Sequence, residues 1–403
     1  MKKRERYLKK IRPFIDKPLI KVITGIRRSG KSTFLKMIQK EIIGNGVSEK
    51  NIVIIQKESL KFDFIQDYKS LYQYVNKQVK QIDGKIYLFI DEIQLIDEWE
   101  KAVTSFLSEE MFDIYISGSN ASLLSSELAT LLTGRYIEIQ LFTLVFSEFI
   151  DFRKDTVFEI NKEDEFSLFL KYGGFPGMHH LNLEDELIVQ YLEAIYNTVL
   201  LKDVISRNKV RNIALLERIT RYIVDNCGNI TSSKSIKDYM KSQQISVTMD
   251  TVQNYIQWLS DAFITNKVMR YDIKGKKQLQ LYEKYYLSDI GFNFTLLGNR
   301  IEDLSGKLEN IVYLELKSRG YRVSIGKLNN LEIDFIAIKN NETIYIQVSY
   351  LIATDKVYER EFGNLEKIRN NHKKIVLSLD KHLAPNKNGI EWMNLIDFLM
   401  EVS

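Results

Sequence analysis

Residues Lys21–Thr33 read K-V-I-T-G-I-R-R-S-G-K-S-T, a β-branched run that ends in the pattern G-x-x-x-x-G-K-S. Gly25 and Gly30 let the backbone turn tightly, so that the successive N–H groups of Ile26, Arg27, Arg28 and Ser29 point inward as a cradle for phosphate. Lys31 adds a point charge for the β and γ phosphates, Ser32 a hydroxyl for Mg²⁺, and Thr33 closes the binding run. The flanks support that reading. Ile20–Thr24 has the composition of a strand, and Phe34, Leu35, Ile38 and Ile42 have the spacing of an amphipathic helix. A strand, a phosphate loop and a helix N-terminus together aim backbone donors and the helix dipole at one anion. Of the two arginines in the loop, one can touch phosphate while the other braces the turn.

The chain has 403 residues, 45% of them hydrophobic, enough for a large core and more than one domain. It shows no low-complexity tract and no repeat. The single cysteine, Cys227, excludes an internal disulfide framework, fits a reducing compartment and reads as a small buried apolar side chain. The basic start M-K-K-R-E-R-Y-L-K-K has no apolar run behind it, and no stretch approaches the ~18 apolar residues of a membrane span. The expectation is a soluble, cytoplasmic protein with no membrane partner. A net charge of +4 permits contact with nucleic acid without demanding it.

Short apolar strands alternate with helical segments up to about residue 150. Strands are expected at Ile20–Thr24, Asn51–Gln56, Lys85–Ile90, Asp113–Ser117 and Tyr136–Leu141, with helices around 33–44, 65–81, 97–109 and 121–133. That alternation predicts an α/β fold, a parallel sheet covered by helices on both faces. Residues 151–208 read as a mostly helical lid or linker, interrupted by G-G-F-P-G at Gly173–Gly177. Residues 209–295 read as three short helices, then strands Phe263–Tyr271 and Gln278–Leu287. Val252, Tyr255, Ile256 and Leu259 stripe the third helix behind the cap Thr248. With the K-G-K-K tip at Lys274–Lys277 between the strands, this stretch suggests a winged helix-turn-helix. Residues 296–403 read as a second α/β unit, a helix followed by strands Tyr321–Gly326, Glu332–Ile338, Thr343–Tyr350 and Lys374–Leu379.

Ile86–Glu92 reads I-Y-L-F-I-D-E, five apolar residues and then two carboxylates. A buried parallel strand that delivers acids at its C-terminal edge, beside the phosphate loop, suits Mg²⁺ coordination. Asp91 is assigned to the metal and Glu92 to orienting or deprotonating the attacking water. Phe112–Asn120 reads F-D-I-Y-I-S-G-S-N. Ser119 or Asn120 there either hydrogen-bonds the attacking water or γ-phosphate, or caps the following helix. Arg135, in L-L-T-G-R-Y, either stabilises charge on a transferring phosphoryl group, in cis or from a neighbouring subunit, or makes a surface ion pair.

The run from G-I-R-R-S-G-K-S-T through F-I-D-E-I-Q, S-G-S-N-A-S-L-L and L-L-T-G-R-Y to Y-G-G-F-P-G resembles bacterial and archaeal predicted ATPases of the AAA+ type. K-Y-Y-L-S-D at Lys284–Asp289, G-K-L-E-N at Gly306–Asn310 and E-I-D-F at Glu332–Phe335 resemble the C-terminal domain that accompanies them. The resemblance covers nearly the whole chain. It implies ATP as the nucleotide, a middle winged helix and a C-terminal module related to PD-(D/E)xK nucleases.

A nuclease of that type needs an Asp on one strand and Glu-x-Lys on the next, so that two carboxylates hold Mg²⁺ and a lysine steadies the attacking water. Asp334 occupies the first position, Glu309 could add a helix-borne carboxylate, and Glu332 shares a strand face with Asp334. In Y-I-Q-V-S, however, Gln347 stands where the acid belongs and Ser349 where the lysine belongs. An amide is a poor ligand for a hard dication and serine carries no charge, so this fold is expected to be kept without cleavage chemistry.

Lys274, Lys276 and Lys277 could contact the phosphates of DNA, or simply be solvated; the third helix has little positive charge of its own. His179 and His180 are adjacent and His372 and His382 isolated, so no zinc site is assigned. The leading expectation is a Mg²⁺-dependent ATP hydrolase acting as a switch or remodelling factor, with DNA, a second copy of the chain or a protein partner as its candidate macromolecular contacts. An ATP-gated nuclease and a non-catalytic nucleotide-dependent interaction protein stand as alternatives.

Overall fold

The structure is a computed structural model that describes residues 2–124, 132, 134–181, 183–298, 304–382, 386 and 388–401. The chain divides into two compact units, residues 1–141 and 142–403.

The first unit runs α1 (Glu5–Ile11), β1 (Ile20–Thr24), α2 (Lys31–Gly44), β2 (Ile52–Gln56), α3 (Tyr68–Val79), β3 (Ile86–Asp91), α4 (Trp99–Ser108), β4 (Phe112–Gly118) and β5 (Tyr136–Gln140). Its five strands are all parallel, in the order β2-β3-β4-β1-β5. The central strands β1, β3 and β4 are buried along their whole length, which is why they read as unbroken apolar runs. Successive side chains serve opposite faces. Val22, Leu88, Ile90, Ile114 and Ile116 pack beneath Leu71 and Val75 of α3 and Val103 and Phe106 of α4. Ile23, Phe89, Tyr115 and Ile139 pack beneath Tyr7 and Ile11 of α1 and Phe34 and Ile38 of α2.

The expected strands recur with small shifts at their ends. Asn51 closes a 3-10 turn and donates to the carbonyls of Asp83 and Lys85, so β2 begins one residue later, at Ile52. The helix expected over 65–81 begins at Tyr68 because Asp67 caps it, accepting the Ser70 N–H at 2.8 Å. The helix expected over 121–133 begins as a 3-10 turn at Ala121–Leu124, and residues 125–131 and 133 lie outside the described residues.

The second unit begins with α5 (Phe146–Arg153), α6 (Lys162–Tyr172) and α7 (Asp185–Thr198), the last continuing as a π-helix over Val199–Ser206. There follow α8 (Ile213–Asp225), β6 (Ile230–Thr231), α9 (Ser233–Ser242), α10 (Met249–Asp261), β7 (Thr265–Asp272), β8 (Lys277–Leu287) and α11 (Gly291–Leu297). The remainder is α12 (Leu304–Ser318), β9 (Arg322–Leu328), β10 (Leu331–Lys339), β11 (Glu342–Val348), α13 (Asp355–Glu366), β12 (Lys373–Ser378), β13 (Ile390–Asn394) and α14 (Leu395–Met400). The stripe Val252, Tyr255, Ile256 and Leu259 is buried, and Thr248 caps α10 by accepting the Thr251 N–H.

Two features depart from the division drawn on the sequence at 150/151 and 295/296. α5 belongs to the second unit, whose entry is fixed where Leu144 N–H donates to the Gly174 carbonyl at 2.7 Å. Nor does the sheet break near residue 295. One eight-stranded sheet, β13-β12-β11-β10-β9-β7-β8-β6, runs through it, β7 pairing in parallel with β9 at Arg270↔Ile325 and Asp272↔Lys327. That pairing covers an edge of the β7–β8 hairpin that would otherwise stand open.

Asp289 ties two sequence motifs of this unit together. Its carboxylate accepts the N–H groups of Gly174 and Gly291, each at 2.8 Å, and burial pushes its carboxyl up to about 6. Gly173 sits at φ +78°, and a Cβ on it would lie 1.8 Å from an Asp289 oxygen. Gly173 is therefore a packing requirement of this contact, and Gly174 one of the Leu144 backbone, 2.0 Å from where its Cβ would lie.

Candidate functional site

β1, β3 and β4 end side by side at the C-terminal edge of the first unit's sheet, and the loops that leave them converge. After β1 the chain passes through Gly25 (φ +140°), where a Cβ would lie 2.2 Å from the Leu141 carbonyl oxygen. It turns through Arg28 (φ +69°) and enters α2 at Gly30 (φ +99°). No side chain caps α2, so the first N–H groups of the helix remain available to an anion. Lys31 is buried, donating to the carbonyls of Gly25 at 3.0 Å and Ile26 at 3.2 Å. Ser29 Oγ is buried with no hydrogen-bond partner among the described residues. Behind the loop, Arg4 donates to the Ser29 carbonyl at 3.3 Å and stacks over the Tyr7 ring at 4.5 Å. Nothing in the sequence singles out this brace, because Arg4 is one of six basic residues in the first ten.

Asp91 ends β3 with its carboxylate hydrogen-bonded by Ser32 and by Ser117 of β4. Burial pushes the Asp91 carboxyl above the usual range, against those hydroxyls and Lys31. Glu92 adopts a left-handed conformation (φ +54°), which an L side chain rarely takes and which turns its carboxylate toward the loop. Its N–H donates to Ser117 Oγ at 3.2 Å, and Ser119 Oγ donates to Oε2 at 2.9 Å. Gln94 Nε2 donates to the same oxygen, while Lys31 Nζ lies 3.6 Å from Oε1. Burial raises the Glu92 carboxyl, but Lys31 and Arg27 outweigh it, so the group stays ionised below its ordinary value.

The other expected site residues take different places. Arg27 pairs with Glu58, whereas Arg28, Ser32 and Thr33 are exposed. Asn120 is buried just past β4, with its carbonyl accepting the Leu123 N–H at 3.3 Å; it is Ser119 that touches Glu92. Arg135 is exposed before β5, its carbonyl accepting the Ile20 N–H. Since Ile20 pairs with Tyr136 and Thr24 with Gln140, Arg135 lies at the edge opposite the phosphate loop, on the order of 15 Å away along the strands. Gln94 and Ser117, which hold the two acids, were visible in the sequence only as polar residues at strand ends.

The second cluster lies in the second unit. Lys284 Nζ sits 3.0 Å from Glu309 Oε2 and 2.8 Å from Glu332 Oε1, and Tyr286 OH donates to Glu309 at 2.9 Å. Asp334 accepts the Val348 N–H at 2.8 Å. Burial, then Glu309, push the Asp334 carboxyl well above its ordinary value. Gln347 accepts the Asp334 N–H at 2.7 Å and donates to Glu361 at 2.9 Å, while Ser349 donates to the Leu351 carbonyl at 3.4 Å. Lys274, Lys276 and Lys277 are exposed at the β7–β8 tip.

Five parallel strands in this order, a phosphate loop after β1 and paired acids after β3 define a P-loop ATPase domain of the AAA+ type. An AAA domain model matches residues 17–150, and a domain of unknown function (DUF8612) matches residues 163–303. The chain is 34% identical over 398 residues to an uncharacterized protein of Haemophilus influenzae, covering 99% of this chain and 98% of that one. It is 30% identical over 393 residues to the uncharacterized protein MJ1544 of Methanocaldococcus jannaschii, covering 94% and 85% respectively. The chain belongs to the family of these two full-length relatives, with an AAA domain as its N-terminal part. Among solved structures, the Walker-type ATPase PABY2304 of Pyrococcus abyssi shares the fold, with a TM-score of 0.52 at 12% identity over 73% of this chain and 95% of that one. Among the described residues, no helix is long and apolar enough to cross a membrane.

Proposed function

We propose that the chain is a Mg²⁺-dependent ATP hydrolase, an ATP-driven switch or remodelling factor associated with nucleic acid. The observation that supports this best is the convergence of Lys31, Asp91 and Glu92 on one side of an uncapped helix N-terminus. The donor set suits Mg²⁺ with a nucleotide: a hard carboxylate beside a hydroxyl, an ammonium parked on loop carbonyls, and an orphaned Ser29 hydroxyl within the loop. Ser32 and Asp91 would hold the ion, which when bound draws charge from the phosphate oxygens.

The loop N–H groups and Lys31 bind and neutralise phosphate. Glu92, kept ionised and oriented by Ser119 and Gln94, accepts the proton of the attacking water. ATP binding and turnover by the purified chain test the reading. Lys31→Ala should abolish both, whereas Glu92→Gln should retain binding and lose most turnover. A wild-type chain that neither binds nor hydrolyses ATP would sink it.

In the same reading, α8, β6, α9, α10, β7 and β8 form a winged helix whose tip Lys274–Lys277 approaches DNA phosphates. Residues 296–403 are a nuclease-like module that has lost cleavage. A nuclease gated by ATP is disfavoured because the Lys284 ammonium already neutralises the carboxylates that a metal would need. Arg135, on the far edge, acts on a neighbouring subunit's nucleotide if the chain assembles into rings.

A further inference from the structure

Between the β7–β8 tip and the turn after α13, the second unit has a groove of about 750 Å³. Lys274 and Lys276 line it from the tip, and Lys367, Arg369, Asn370 and His372 from the turn. Among the described residues its lining includes no aspartate or glutamate. The four long cations are exposed, and Asp272, a carboxylate close by in the tip, is spent on the N–H groups of Lys274 and Gly275 at 3.0 and 2.9 Å. The floor is different in character: Tyr271, Ile273 and Ile338 over the buried Ile336, with Ile338 left 38% exposed near the end of β10. Tyr345 OH accepts from Asn370 Nδ2 at 3.0 Å, fixing one wall.

A rim of four exposed cations, outnumbering the Asp272 carboxylate beside it, calls for a polyanion. The uncovered apolar floor selects among polyanions. Free phosphate or polyphosphate has no apolar face to lay on it, and a duplex keeps its base faces stacked inside. A single nucleic-acid strand offers both surfaces at once, phosphates for the rim and base faces for the floor. We propose that this groove binds a single nucleic-acid strand, with its phosphates against Lys274, Lys276, Lys367 and Arg369 and its bases against Tyr271 and Ile338. The proposal does not depend on ATP hydrolysis at Lys31; it rests on the nucleic-acid contact read at the Lys274–Lys277 tip and deepens it by naming a single strand and the groove that holds it.

Fluorescence anisotropy of the full chain without ATP tests this, using labelled oligo(dT) and oligo(U) of about 20 nucleotides, a duplex of equal length, and inorganic polyphosphate as competitor. Binding of either single strand, tighter than the duplex, is expected. The K367Q/R369Q double variant, checked for an unchanged melting temperature, should bind at least tenfold more weakly. Its slope of log affinity against log salt should fall by about 1.4, two cations at about 0.7 each. Tyr271→Leu should weaken binding about fivefold or more with the slope unchanged. The proposal is overturned if the wild type binds no single strand or prefers duplex. It is equally overturned if polyphosphate competes as well per phosphate, or if K367Q/R369Q binds like the wild type.

Discussion

The Lys284 ammonium lies 3.0 Å from the Glu309 carboxylate at the centre of the second unit, both of them buried. With Glu332 at 2.8 Å and Asp334 close by, one internal cation serves carboxylates that would otherwise need a metal. Burial opposes its charge, yet Glu309, Asp334 and Glu332 raise the Lys284 pKa above its ordinary value. Removing only this partner leaves buried like charges, a loss of roughly 3–5 kcal/mol. Lys284→Met should therefore unfold at much lower urea. Its deficit should shrink as pH falls, because Glu309 and Asp334 then take up protons more readily folded than unfolded. A variant within about 1 kcal/mol of wild type at neutral pH would show that the ammonium is not what balances the cluster.

Gln347 makes the same point from the other side. Its carbonyl accepts from Asp334 N–H and its amide donates to Glu361, two opposite hydrogen-bonding roles that a carboxylate cannot combine. Gln347→Glu places a third acid against Glu361, so it should lower the melting temperature at pH 7 and recover part of the loss near pH 5. It should not create divalent-dependent DNA cleavage. Cleavage by this variant, abolished again by Asp334→Ala, would show that a single side chain separates this module from a nuclease.

Most of the first unit was legible in the sequence because its central strands are buried on both faces, and so announce themselves as the runs at Ile20–Thr24 and Ile86–Asp91. The loop and its acids were legible because glycine, lysine and aspartate there follow from phosphate chemistry. What the sequence concealed is tertiary. Nothing local says that Ser117 reaches Asp91 and Glu92, or that Arg135 precedes β5 at the sheet edge away from the loop until register pairs Ile20 with Tyr136. The join of β7 to β9 was hidden likewise, since parallel pairing between distant strands leaves no turn to read.

Ser119 and Gln94 both donate to Glu92 Oε2, so they should act on the orientation of that carboxylate. Ser119→Ala and Gln94→Ala should each slow ATP turnover about tenfold or more while leaving ATP affinity nearly unchanged. Stopped turnover together with lost affinity would instead assign them to binding. The pH profile discriminates further: with fewer groups favouring the Glu92 anion, the acid limb of turnover should shift upward in both variants.

His179 offers a test of the second unit's packing by pH. Its ring lies 4.9 Å from Phe149 and 5.2 Å from Phe152, and both ring nitrogens are buried without a hydrogen-bond partner. Burial first, and then Arg153, hold its pKa down at about 4, against the ordinary 6.5. The neutral ring is therefore the one that packs. Between pH 6.5 and 4 the unfolded chain binds a proton there that the folded chain refuses, so stability falls as pH falls through that window. The loss should reach about 2 kcal/mol at pH 5 and be absent above pH 7. His179→Phe should keep the aromatic contacts and remove this share of the acid sensitivity, read as the difference between urea midpoints at pH 7.5 and pH 5. Equal pH dependence in wild type and variant would mean that the ring accepts its proton without leaving the cluster.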